Sequence, residues 1–388
     1  MRGNDDMNVL NALAKVVDTL KKYNDSRYVR YDDVSNSSDY KTPLDYGAGG
    51  KGFTDDTAAI NQAIAENDVV YIPNGIYNIS SPIVVAASGK KIYGNSDTKI
   101  MAKGCDGITI TAPTNMIIRD LQIVGDGSAH HGIVIDGGGY KTHFSNLSVS
   151  KFGGDGFHTN WFGGGFGVCT IEKCTFRECD NGVVCMSDAL DQRNNITISN
   201  NLFGQITHSA VRVTGFGIIV EGNDIEDCEY GIRVDNWDSV PTRDNVYFCG
   251  SGAIRIVGNY MEKASKSFIS FANNYRKETD TEPRRDGMLD GVTIEGNYAF
   301  LSANVEIADE FAWVKFVSEV ADNTSKLQDV TFAGNVFNTD RWPLPTLIHG
   351  DATFGESCRF VISKWSRGEC VNMGNAVIVR DADVEATE

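Results

Sequence analysis

The chain has 388 residues, with 52 Asp and Glu against 35 Lys and Arg for a formal charge of −17, 41% hydrophobic residues, 40 glycines and 8 prolines. That balance excludes a disordered chain, and the acidic excess argues against non-specific binding to nucleic acid or to an anionic membrane, both of which basic surface drives. No apolar run approaches the ~20 residues a membrane span needs, and the acidic N-terminus has no continuous apolar core of a signal peptide.

Residues 7–23 read as an amphipathic helix. Leu10, Leu13, Val17 and Leu20 step by three and four, with Lys15, Asp18, Lys21 and Lys22 opposite, the seam of a short coiled coil. Two heptads are marginal alone, so the helix is expected to need a partner or the body of the protein. The polar stretch 24–42 reads as a linker. At residues 54–64, Thr54, Asp55 and Asp56 open a short helix whose apolar face carries Ile60 and Ile64. It is expected to cap the open end of the main domain.

The body repeats itself. NITISNNLF at Asn195 returns as GIIVEGNDI at Gly217, AIRIVGNYM at Ala253, GVTIEGNYA at Gly291 and DVTFAGNVF at Asp329. The seventh position is Asn201, Asn223, Asn259, Asn297 and Asn335, and the frame runs backwards through Cys174, Leu147, Leu121 and Asn95. The steps vary between 22 and 38 residues. Each copy alternates apolar and polar residues, the period of a strand, and a second alternating run led by a small residue lies between copies: GIVI at Gly132, GFHT at Gly156, GVVC at Gly182, AVRV at Ala210, GIRV at Gly231. Short strands and repeated corners predict a stacked parallel β-solenoid, a single domain that grows by adding coils. The recurrent Asn is expected to bond to the next coil from a corner and to take the left-handed conformation there.

DYGAGGKGFTDDTAAI followed by VVYIPNGIY resembles the N-terminal signature of the pectate-lyase-like superfamily of right-handed parallel β-helices, with Lys51 where Asp is usual. Signature and repeats together cover about residues 43–350. The resemblance implies an all-β fold, a single right-handed parallel β-helix of about ten coils, over residues 43–355, with the helix and linker at 1–42 ahead of it and a C-terminal cap and tail at 356–388. Members of that branch include polysaccharide hydrolases, lyases and bacteriophage tailspikes, many of them trimeric. A polysaccharide partner and a homotrimer are therefore expected, with the chain folded in the cytoplasm and carried on a virion or released outside the cell. No cofactor and no metal are expected.

Nine cysteines stand at irregular spacing, without the CxxC pairs of a zinc site. Cys174 and Cys185 fall on inward positions, so reduced, buried thiols are expected.

Alternation within the second strand sends Ile133, Phe157, Val183, Val211 and Ile232 inward. It sends Val134, His158, Val184, Arg212 and Arg233 outward, and two residues on, Asp136, Asn160, Met186, Thr214 and Asp235 also outward. Just past the strands come Trp161 and Phe162, Asp188 and Asp191, Trp237 and Asp238. Aromatic faces for sugar rings beside charged groups for hydroxyls suit a carbohydrate groove. Asp188 and Asp235, two coils apart, are the expected acid and base of a glycoside hydrolase, at a spacing that leans to inversion. His158, Trp161, Arg212, Arg233, Trp237 and Asp238 are expected to bind substrate. A uronate lyase using His158, Arg212 and Arg233, or a glycan-binding appendage without activity, are the alternatives. The charged stretch 275–287 accounts for the longer steps near it.

Overall fold

The computed structural model describes residues 40–160, 165–186, 193–235, 240–241, 247–248, 251–273, 288–318, 326–351 and 353–380. The helix expected at 7–23 lies outside them.

Three ladders of short parallel strands wrap a common interior. The first begins Val69–Tyr71, Lys91–Tyr93, Met116–Arg119 and runs to Val377–Arg380. The second begins Lys51–Asp55, Ile76–Ile79, Lys99–Ala102, Gln122–Val124, and the third Ile83–Val85, Ile108–Ile110, Ile133–Ile135. Asp224–Asp235 and Tyr260–Asn273 are long enough to turn the corner between the second and third ladders, which joins these two into one sheet. Among the described strands, the antiparallel pairing is the small hairpin of Val240–Pro241 and Tyr247–Phe248.

Alternation places the side chains as expected along the third ladder. Ile83, Ile108, Ile133, Phe157, Val183, Val211, Ile232, Ile269, Val314 and Ile348 stack inward and are buried. Wider parts of the interior are filled by aromatic stacks, such as Phe268 on Trp313 on Phe337. The small residue leading each strand has a steric cause. A Cβ on Gly132 would lie 2.5 Å from the carbonyl oxygen of Gly156, and one on Gly182 2.4 Å from that of Ala210. At these two coils a side chain would force the backbone apart, whereas the equivalent position further along holds Ala210, Phe268 and Trp313.

The recurrent asparagines form a buried ladder. Each donates its Nδ2 to the Oδ1 of the next: Asn201 to Asn223, Asn223 to Asn259, Asn259 to Asn297 and Asn297 to Asn335, all at 2.9–3.0 Å. The same Oδ1 also accepts the backbone N–H of the preceding Asn, and the other Nδ2 hydrogen reaches a strand carbonyl, Ile198 O for Asn223. One part of the expectation is corrected. The left-handed residue is the one before the Asn, Asn200 (φ 55°), Gly222, Gly258, Gly296 and Gly334, which turns the chain so that the Asn can point inward. In the earlier coils Asp120, Asn146 and Lys173 take that conformation, ahead of buried Leu121, Leu147 and Cys174.

The helix Thr57–Glu66 buries Ile60, Ala63 and Ile64 in the core of the first coils. Asp56 is buried and accepts the N–H groups of Gly49 and Gly50 and the Thr54 hydroxyl, so the signature phrase folds around one carboxylate. Lys51 is exposed and outside that network. The described cysteines are free thiols, and all but half-buried Cys370 are buried. Burial raises the pKa of Cys105, Cys169, Cys179, Cys228, Cys358 and Cys370, and that of Cys174 to about 12.

Candidate functional site

Along the outside of the third ladder one register line reads Thr109, Val134, His158, Val184, Arg212, Arg233, Ser270, Lys315 and His349. The outward positions read from the sequence thus stand on one face, with His158, Arg212 and Arg233 among them. Val134 and Val184 flank His158 as an apolar floor and are themselves 5% and 4% exposed.

The line two residues on differs from expectation. Asp136 is exposed, but Met186, Thr214 and Asp235 are fully covered. The Thr214 hydroxyl donates to the Asp235 carbonyl, and Asp235 turns its carboxylate under two guanidinium groups. Arg212 Nε donates to Asp235 Oδ2 at 2.5 Å and Arg233 Nε to Oδ1 at 2.6 Å. Two charge-assisted hydrogen bonds repay the burial of one carboxylate. With no exposed surface, Asp235 does not itself face the groove. Trp161, Asp188, Trp237 and Asp238, as well as Phe162 and Asp191, lie outside the described residues.

Two further columns stand at the corner before the strands. The inner one passes hydrogen bonds from coil to coil: Asp106 Oδ1 accepts the His131 N–H, His131 Nδ1 accepts the Asp155 N–H, Asp155 Oδ1 accepts Asn181 Nδ2, and Asn181 Oδ1 accepts the Ser209 N–H. The outer column sets Asp180, His208, Glu229 and Lys266 on successive coils, with His208 Nδ1 2.6 Å from Asp180 and Lys266 Nζ 2.8 Å from Glu229.

Between these columns and the arginines opens a cavity of about 290 Å³, lined by Asp180, His208, Arg212, Glu229, Arg233 and Lys266 among others. Tyr230 lies in its wall with Arg233 over the ring at 4.9 Å and Lys266 at 5.6 Å. Sequence reading missed this corner. The available signal was the run of polar residues one and two places before each small strand leader.

His131 and His158 stack at 4.2 Å, and Asp155 meets His158 Nδ1 at 2.6 Å. Burial opposes the charge on Asp155, but the bonds from His158 and Asn181 outweigh it and hold the carboxyl below its ordinary range. Burial, then the neighbouring His158, holds His131 below the usual imidazole value. Ligand-type atoms of these three residues lie within 4.8 Å of one another. Their hydrogen bonds describe an oriented imidazole, however: His131 Nδ1 is taken by the Asp155 N–H, and Asp155 fixes the His158 proton on Nδ1, leaving Nε2 for the groove.

A rhamnogalacturonase A/epimerase, pectate lyase-like family model matches residues 43–105, and a right-handed β-helix region model matches residues 131–279. The chain has a right-handed β-helix fold, with a pectate-lyase-like match over its first coils. Among solved structures it is similar to the surface adhesin PfbA of Streptococcus pneumoniae, with TM-score 0.61, 15% identity and 84% of each chain covered. The catalytic unit of an α-1,3-glucanase from Streptomyces thermodiastaticus matches with TM-score 0.59 and 16% identity, over 90% of this chain and 68% of that one. The Dettilon tailspike protein matches with TM-score 0.58 and 13% identity, over 86% and 68%. At these identities the likeness is one of fold. A pre-neck appendage protein of Bacillus phage B103 is 32% identical over 124 residues, 31% of this chain and 12% of that protein. The chain therefore matches only a small part of the length of such relatives.

Proposed function

We propose that this β-helix binds a bacterial surface or extracellular polysaccharide along the groove of the third ladder and hydrolyses it, as a tail-borne protein of a phage. The observation that carries the reading is the outer column, in which Asp180, His208, Glu229 and Lys266 alternate acid and base on successive coils beside an open cavity.

Asp180 and Glu229 stand two coils apart, roughly 10 Å along the axis before the side chains lean together. That suits a water between sugar and base, the inverting geometry. Glu229, paired with Lys266, takes the base role, and the Asp180–His208 pair, sharing a proton across 2.6 Å, delivers it to the leaving oxygen. Asp235, the carboxylate expected from sequence in that role, acts through the arginines it holds. Asp188, outside the described residues, remains the candidate partner expected from sequence.

A lyase reading has its own support, the Asp155-oriented His158 imidazole beside two arginines. The test is one panel of capsular, exopolysaccharide and plant polymers, assayed for new reducing ends and for the ultraviolet absorbance of unsaturated uronates. Reducing ends without absorbance support the hydrolase, absorbance supports the lyase, and binding without either leaves a receptor-binding appendage. The homotrimer, built on the Leu10 to Leu20 seam, belongs to the same proposal. Sedimentation of the full chain as a monomer at micromolar concentration removes it.

A further inference from the structure

We infer that a second cavity, across the corner from the first, is a subsite for an uncharged side branch of the polysaccharide. The inference rests on the glycan-binding function proposed for this groove and names the class of polymer, a branched one.

The second cavity holds about 390 Å³ and is lined by Thr207, Cys228, Lys263, Ser265, Val305 and Glu306 among others. On three successive coils its residues come just ahead of those that line the first cavity: Thr207 before His208, Cys228 before Tyr230 and Ser265 before Lys266. It therefore opens on the second-ladder side of the corner, beside the groove and not further along it. Glu229 lines both cavities, so its carboxylate and the paired Lys266 form the saddle between them.

The hollow has a local cause. Gln205, Asp227 and Lys263 stand in register and take left-handed φ values of 57°, 60° and 58°, a costly conformation for a residue with a Cβ. Each turns the next residue of its coil inward, and buried Ile206 and Cys228 make the apolar floor. The wall comes from the following coil. There the chain leaves the second ladder at Leu301 and enters the third at Ala312, whereas the neighbouring strand Tyr260–Asn273 rounds the same corner without a break. This excursion is held in place. Ala308 donates its N–H to the Ser265 carbonyl at 2.9 Å, Arg341 Nη1 donates to the Ala303 carbonyl at 3.3 Å, and Val305 and Ile307 pack against the core. Val305 is still half-exposed and Glu306 exposed, and both line the cavity.

A sugar chain that follows the third-ladder line passes Arg212 and Arg233 and leaves this hollow empty. A branch on the unit held in the first cavity reaches it over Glu229. The apolar floor, with the Thr207 and Ser265 hydroxyls beside it, suits one face of a sugar ring and its hydroxyls. The rim selects against negative charge, because Asp227, Glu229 and Glu306 outnumber Lys263.

The test compares each branched polymer of the panel that the full-length protein binds with the same polymer after Smith degradation has removed its side branches. The branched form is expected to bind at least tenfold tighter. Val305→Trp fills the cavity from one wall and Thr207→Trp from the other, and each is expected to abolish that advantage; the pair guards against a loss of packing in either one. An advantage that persists in both variants overturns the subsite. Equal affinity for branched and debranched forms, or binding confined to linear polymers, also overturns it and leaves the glycan reading standing. An equal advantage from branches that carry a uronic acid overturns the uncharged class. Binding to no polymer of the panel removes the glycan function, and the subsite with it.

Discussion

Asn223 donates its Nδ2 to Asn259 Oδ1 at 2.9 Å across 36 residues of chain, and Asn201 makes the same bond to Asn223 across 22. The ladder is therefore indifferent to the length of the excursion between rungs. Excursions can grow on the outer face while the interior keeps its spacing, and the fold can vary its groove without altering its core.

Removing one rung tests this. Asn259→Ala takes away the acceptor of two buried donors, the backbone N–H and the Nδ2 of Asn223. At about 1–3 kcal/mol for each orphaned group, the loss is about 2–6 kcal/mol in chemical denaturation. A change below about 1 kcal/mol would show that the ladder carries no cooperative strength.

Two glycines should respond differently to alanine. Gly182→Ala drives a Cβ to 2.4 Å from the Ala210 oxygen and 2.5 Å from the Phe203 ring, so a backbone shift is forced and a loss of about 1–3 kcal/mol or more is expected. Gly258→Ala has open space and only the left-handed conformation to bear (φ 63°), at about 1–2 kcal/mol. Thermal unfolding of the two variants side by side checks the order.

Acid should weaken the corner before it weakens the carboxylates. His131 is held below its unfolded value of 6.5, by burial first, so the unfolded chain binds more protons near that pH. Its contribution is fully present above about pH 6.5 and is lost as pH falls toward the folded value. His143, lowered chiefly by burial, adds in the same direction. Asp155, also lowered, gives way only below the ordinary carboxylate range. Unfolding midpoints should be flat above that pH and decline below it. His131→Gln, whose amide oxygen can still accept the Asp155 N–H, should remove part of the decline, and an unchanged profile would count against the assignment.

If the groove hydrolyses a glycan, Glu229→Gln and Asp180→Asn should each lower turnover by ~10² to 10⁴ with binding retained, since acid and base steps are typically worth that much. Asp235→Asn should instead impair binding first, because it releases Arg212 and Arg233. A fall in kcat with KM unaltered in Asp235→Asn would return that residue to the acid–base role expected from sequence.

The sequence by itself determined the solenoid, its inward and outward faces and its asparagine ladder. All three depend on a period of two along the strand and on a phrase that returns, and both are written in the order of residues. His158, Arg212 and Arg233 could be placed on one face for that reason. Only the tertiary structure decided what the corners do. A polar residue before a strand carries no period, so nothing in its spacing tells that His131 accepts from Asp155 or that Asp180 meets His208 across 28 residues of chain. Nor does alternation tell which outward side chains stay exposed. Asp235 has the parity of a groove residue, yet two arginines from adjacent coils, each drawn to the same carboxylate, close over it and make it the buried anchor of the site.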